Sequence, residues 1–171
     1  MQLFLKIYVL RTSSNLKLIN GANATDGGAI YWAGSNGTVR NTEFENNTAT
    51  RDGGAIYFAP TTADSQVLNC TFEDNTAGED GGAIDWNATR GVLNDSTFTD
   101  NHAGSYGGAL CREVNADGGY GNNNMFIKNT ADDVGGAIAW MKSQSITINN
   151  YDFIDNTAGY SGGAIYVGEG S

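Results

Sequence analysis

The sequence predicts an all-β chain wound as a parallel β-helix, a β-solenoid of five to six coils, each about 26–28 positions long and holding three short strands. Three observations predict it. The tetrapeptide Gly-Gly-Ala-Ile recurs at 27–30, 53–56, 81–84, 135–138 and 162–165, with Gly-Gly-Ala-Leu at 107–110, so the copies are almost evenly spaced along the chain. Nine positions before each of the last five Gly pairs stands a Phe, and three positions after that Phe an Asn; the return from a Gly pair to the next Phe varies by only two positions. Finally, a period near 27 comes without helical spacing of apolar residues, with 24 Gly and a single Pro. Such a chain suits many short strands joined by sharp turns, stacked as a repeat.

The first strand of each coil begins at the paired glycines: Gly27 and Gly28, Gly53 and Gly54, Gly81 and Gly82, Gly107 and Gly108, Gly135 and Gly136, Gly162 and Gly163. These pairs and the Ala after them mark tight turning or close approach of backbones. The fourth place of the motif is always Ile or Leu, so the two-residue period of a strand turns the fourth place inward and the fifth outward. Tyr31, Tyr57, Asp85 and Tyr166 of the fifth place then form a candidate exposed contact strip. The same alternation puts Trp32, Phe58, Trp86 and Trp140 of the sixth place in the core, with Arg112 and Val167 as exceptions.

The second strand carries Val39, Val67, Leu93 and Ile148, five positions before the Phe, and Gly121 breaks this column. The third carries Phe44, Phe72, Phe98, Phe126 and Phe153, with Leu18 in the first coil. Two polar columns flank it. Asn47, Asn75, Asn101, Asn129 and Asn156 follow the Phe by three positions, and Asn15, Asn41, Asn69, Asp95, Asn123 and Asn150 precede their Phe or Leu by three. Both read as turn positions, where Asn holds a left-handed bend and its amide bonds to the equivalent Asn one coil away.

Residues 1–12 read as an N-terminal strand or cap and 13–171 as the repeats of a longer solenoid. Met1–Leu10 is apolar but is interrupted by Lys6, and neither a basic stretch before it nor a small-residue cleavage site after it marks a signal peptide. The chain stops soon after a complete Gly-Gly-Ala-Ile strand, which predicts an open carboxy-terminal end. A net charge of −10 argues against nucleic acid and anionic lipid as partners. No apolar run approaches the roughly 20 residues of a membrane helix, so no direct membrane insertion by this segment is expected.

Few residues carry obvious chemistry. Asp26, Asp52 and Asp80 precede three successive Gly pairs and would align one coil apart, a row that suits either Ca²⁺ or a solvated turn; the solvated turn is the expectation, with no metal and no cofactor. Asp132–Asp133 lacks a second carboxyl group opposite it in the repeat, as a glycosidase would need. His102 reads as an exposed turn residue. Basic residues share no column. Cys70 falls inward and Cys111 in the outward fifth place, too far apart for a disulfide, so two free thiols are expected. Sequons begin at Asn23, Asn36, Asn46, Asn69, Asn87 and Asn94, which ladder chemistry and the abundance of Asn and Thr account for.

The pairing of Gly-Gly-Ala-Ile with Phe-x-x-Asn resembles the repeat of chlamydial polymorphic outer membrane proteins and the adhesin-like surface proteins of methanogenic archaea, over residues 15–167. The resemblance implies a right-handed parallel β-helix of the pectin-lyase-like type, export, and adhesion. The chlamydial carboxy-terminal membrane barrel has no counterpart in these 171 residues. The expectation is a noncatalytic, surface-exposed adhesin-like or stalk segment of a larger cell-surface or secreted protein, binding a cell-surface glycan or protein. The alternatives are a fragment of a polysaccharide lyase or glycoside hydrolase, and a purely structural spacer.

Overall fold

Nearly equal coil lengths let each strand pair with its own counterpart in the next coil, and among the described residues the strand pairs are all parallel and in register. The computed structural model describes residues 5–7, 12–113, 116–142 and 146–168, which form a right-handed parallel β-solenoid of about six turns with no helix. Three sheets make its faces. The first holds seven strands: Leu5–Ile7, Ile30–Trp32, Ile56–Phe58, Ile84–Trp86, Leu110–Arg112, Ile138–Met141 and Ile165–Gly168. Ile30, Ile56, Ile84, Leu110, Ile138 and Ile165 are consecutive partners across it.

The division of each coil into three holds, while the residues forming the faces differ from the expectation. The Val and Phe strands lie in one sheet, bent between them at the Asn three positions before the Phe, and in Gly119–Ile127 and Ile146–Ile154 they run as one strand. The third face consists of two-residue strands, Ala22–Asn23, Thr48–Ala49, Thr76–Ala77, His102–Ala103, Thr130–Ala131 and Thr157–Ala158. Ala49, Ala77, Ala103 and Ala131 are buried there.

The interior is built from stacked columns. Phe44, Phe72, Phe98 and Phe126 lie 4.7, 4.6 and 4.7 Å apart between ring centres and within 3° of parallel. Trp32, Phe58 and Trp86 lie inside as the sixth place predicts, Phe58 stacked on Trp86 and tilted against Trp32, and Arg112 extends the column with its guanidinium 4.9 Å from the centre of the Trp86 ring. The break at Gly121 has a physical reason: the Tyr151 phenol occupies the space a side chain there would take, and its ring lies 5.6 Å from that of Phe126.

The two Asn columns do different work. Asn47, Asn75, Asn101 and Asn129 are fully buried. The side-chain amide of Asn75 donates to Asn101 Oδ1 at 2.9 Å and to the Phe44 carbonyl at 3.1 Å, while Asn101 Oδ1 also accepts the Asn75 backbone N–H at 3.0 Å. The pattern recurs from Asn47 to Asn156, so each buried amide is matched, as burial demands. These residues do not carry the left-handed bend. It falls one residue earlier, at Asn20, Asn46, Asp74, Asp100, Lys128 and Asp155, with φ between 52° and 56°. The outer column, Asn15 to Asn150, is left-handed as expected and forms an exposed ladder, with Asn69 donating to Asn41 Oδ1 at 2.9 Å.

The paired glycines answer two separate constraints. The first of each pair has φ between 64° and 69°. The second faces the carbonyl oxygen of its counterpart in the next coil, so that a Cβ at Gly108 would run into Gly136 O and the Thr130 carbonyl. Backbone cannot yield there. Gly108→Val is therefore expected to abolish cooperative folding, read as loss of the thermal transition in circular dichroism. Phe98→Ala, which empties the middle of the ring stack, should lower stability by about 3–5 kcal/mol. Phe153, which is half-buried at 5.2 Å from the single stacked neighbour Phe126, should cost less. Denaturant melts giving equal, small losses at both positions would contradict the stack's role.

Candidate functional site

The fifth place of the first strand points away from the interior, yet it is not exposed. Tyr57 is 7% exposed and Asp85 1%, and Cys111 and Ala139 are buried, while Tyr31 and Tyr166 are half-buried. The proposed contact strip of Tyr31, Tyr57, Asp85 and Tyr166 is therefore covered along its middle. Two neighbouring columns cover it. They are the residue before the Gly pair, such as Asp80 or Tyr106, and the seventh place, with Asn87, Glu113 and Met141. Asp80, Tyr106, Glu113, Met141, Lys142 and Tyr166 together line a cavity of about 190 Å³ over this face.

Within that cover lies a group of acids around a thiol. One ligand atom each from Asp80, Cys111 and Glu113 lies within 4.8 Å of the others. Cys111 Sγ is 3.7 Å from Glu113 Oε1. Asp85 is the ladder partner of Cys111, so the two side chains stand side by side one coil apart, and Asp85 Oδ1 is buried without a hydrogen-bond partner. Burial raises the Asp80 carboxyl to about 7, with Glu113 and Asp52 adding to the rise and the Tyr106 N–H opposing it. Asp85 is held well above the usual carboxylate range by burial, then by Glu113, Asp52 and Asp80. The Cys111 thiol is likewise raised, by burial and then by Asp85, Asp80 and Glu113.

The Asp row is not the solvated turn expected. Arg51 pairs with Asp26 at 3.3 Å and Asp52 at 3.1 Å, and the side chains of these acids are only 14% and 13% exposed. Asp52 Oδ1 accepts the Asp80 N–H at 3.3 Å, and Asp80 Oδ1 the Tyr106 N–H at 3.0 Å. The row thus ties each coil to the next, and Asp80 alone of the three joins the cluster.

The remaining sequence candidates stay apart from it. His102 lies on the third face, its Nδ1 3.0 Å from Thr130 Oγ1 and its Nε2 4.0 Å from Asp132 Oδ1, and Asp132 and Asp133 are exposed. Cys70 and Cys111 are free and buried. Arg112 is buried, with Nη2 donating to the Gly91 carbonyl at 3.1 Å, and burial lowers its guanidinium to about 10. The outer Asn ladder borders a second feature, an open trough of about 520 Å³ lined by Asn15, Asn41, Asn69, Thr42, Thr71 and Glu43 among others.

With this geometry in place, comparison with known families is decisive for the fold. Residues 7–111 match the family described as the right handed beta helix region. The chain belongs to that family. Residues 150–168, in the last coil of this β-helix, match the Chlamydia polymorphic membrane protein repeat. Neither the curated proteins nor the solved structures compared give a match.

The raised carboxyls give a signed pH dependence. Between about pH 4 and 7 the unfolded chain releases the Asp80 proton while the folded chain keeps it, so stability falls as pH rises through this window. In chelator-treated protein the melting temperature should drop from pH 5 to pH 8, the raised Asp85 carboxyl acting in the same direction, and Asp80→Asn should flatten the drop. A melting temperature that rises over this range would contradict the burial of these acids.

Proposed function

We propose that this β-helix is a noncatalytic, surface-exposed stalk or adhesive segment of a larger cell-surface or secreted protein. The observation that carries the reading is the match of residues 150–168 to the polymorphic membrane protein repeat, in phase with the same columns that build the other coils. The use of side chains supports it. Phe, Ile and Asn are spent on stacking coil on coil, and the long faces left over suit weak, repeated contacts that a longer parent multiplies through avidity.

With the fifth-place strip covered, the contact surface falls to the trough beside the outer Asn ladder. Asn15, Asn41 and Asn69 repeat there at the coil spacing with Thr71 beside them, a row of amides with a flanking hydroxyl suited to the hydroxyl groups of a glycan. Immobilised chain is expected to retain a subset of cell-surface glycans on an array, with dissociation constants of roughly micromolar to millimolar. Asn41→Gly with Asn69→Gly removes the amides while keeping the left-handed backbone, and should weaken retention about tenfold or more. No binding to any glycan or cell surface would favour a plain spacer. Turnover of a polysaccharide, lost on changing Asp132 or Asp133, would replace the reading with an enzymatic one.

A further inference from the structure

We propose that Asp80, Cys111 and Glu113, whose ligand atoms stand within 4.8 Å of one another, form with the neighbouring Asp85 a binding site for a thiophilic divalent cation, with Zn²⁺ the ion that best suits one thiolate among carboxylates. The site is made by two adjacent coils, each giving one fifth-place residue and one neighbour: Asp80 and Asp85 from one, Cys111 and Glu113 from the next. Coordination by sulfur near 2.3 Å and oxygen near 2.0–2.2 Å sets ligand atoms roughly 3–4 Å apart in a tetrahedron. The ligand atoms of Asp80, Cys111 and Glu113 already stand within 4.8 Å, so side-chain torsions close the remaining gap.

The independent observation is Asp85. Its carboxyl is 1% exposed and its Oδ1 has no hydrogen-bond partner, although it lies alongside Cys111 in the ladder. A buried, unmatched carboxyl oxygen costs stability unless something compensates it. Two nearby guanidinium groups are committed elsewhere. Arg51 is engaged by Asp26 and Asp52, and Arg112 lies on the interior side of the same strand against Trp86. A bound dication would reverse the burden that raises these acids and the thiol. The cavity lined by Tyr106, Met141 and Tyr166 supplies the way in. The thiol also selects the ion, since calcium and magnesium take oxygen ligands.

The column itself carries a matching signal. From coil to coil the fifth place reads Tyr31, Tyr57, Asp85, Cys111, Ala139, Tyr166, so ligand types occur in two consecutive coils and nowhere else among them. The small Ala139 that follows is buried. Bound there, the ion would act as a clasp between the two coils.

The test uses the full chain stripped with chelator and titrated with ZnCl₂ by calorimetry, and with CoCl₂ by absorption spectroscopy. One ion per chain is expected, at micromolar affinity or tighter, with a thiolate-to-cobalt charge-transfer band. The melting temperature should rise by roughly 5 °C or more at a hundredfold excess over Kd. Cys111→Ser should erase the band and weaken Zn²⁺ at least tenfold, Asp85→Asn should weaken it severalfold, and Cys70→Ser should change neither. Absence of the band and of one-to-one Zn²⁺ binding in the native chain at millimolar metal would overturn the proposal, as would unchanged binding in folded Cys111→Ser. Should that variant not fold, the Cys70→Ser chain decides: Zn²⁺ should slow alkylation of the remaining thiol at least tenfold, and an unaltered rate counts against the site.

Discussion

The structure depends on one constraint, the parallel, in-register pairing of each coil with the next. It makes the nearest neighbour of almost every side chain its own equivalent one coil away, as Phe72 and Phe98 or Asn75 and Asn101 show. A residue type is therefore tested against copies of itself. Phe passes because flat rings stack at 4.6–4.7 Å, close to the spacing of paired strands. Asn passes because its amide both donates and accepts, so one side chain satisfies the coil above and the coil below. Glycine is required where the next backbone arrives too close for a Cβ, as Gly108 meets Gly136.

Charge fails the same test, and the chain has to answer each time it aligns acids. At Asp26 and Asp52 the answer is Arg51 together with backbone N–H groups of the following coil. Asp64 has Arg90, its neighbour one coil on, at 2.6 Å, and Lys17 bridges Glu43 and Glu45. The Asp64 and Lys17 pairs are largely exposed and contribute little to stability. They prevent repulsion more than they bind coils together.

The columns were legible in the sequence because repetition writes them six times over, and the interior stacks of Phe, Ile and Trp followed from a two-residue period alone. The left-handed position was misplaced by one residue, since Asn47 and Asn46 are both plausible hosts and only the geometry separates the laddered amide from the bend. The burial of Tyr57 and Asp85 was not legible for a different reason. Alternation says which way a side chain leaves its strand, but the cover comes from Asp80, Tyr106 and Glu113, which stand outside the repeated motif and vary between coils. The cluster they form had one available signal, Asp85 and Cys111 in successive coils of a column otherwise occupied by Tyr and Ala.

In a repeat protein the consensus residues maintain the stack, and the departures from consensus must either be compensated locally or serve something else. Arg112 and Gly121 belong to the first kind. The Arg112 guanidinium packs on Trp86 and bonds to the Gly91 carbonyl, Gly119 lacks the Cβ that would strike it, and Tyr151 fills the space left at Gly121. The set closes sterically, its members filling one another's space, while Arg112 Nη1 is left without a hydrogen-bond partner. Asp80, Asp85, Cys111 and Glu113 do not close in this way. On the opposite side of the same strand they gather two carboxyl groups and a thiol, set Asp85 beside that thiol with its Oδ1 unmatched, and border a cavity. Neither the Phe stack nor the Asn ladder requires any of the four. A departure that costs stability in the fold and gains nothing from it is where a ligand is to be sought, and the residue types at this one identify the ligand as a cation.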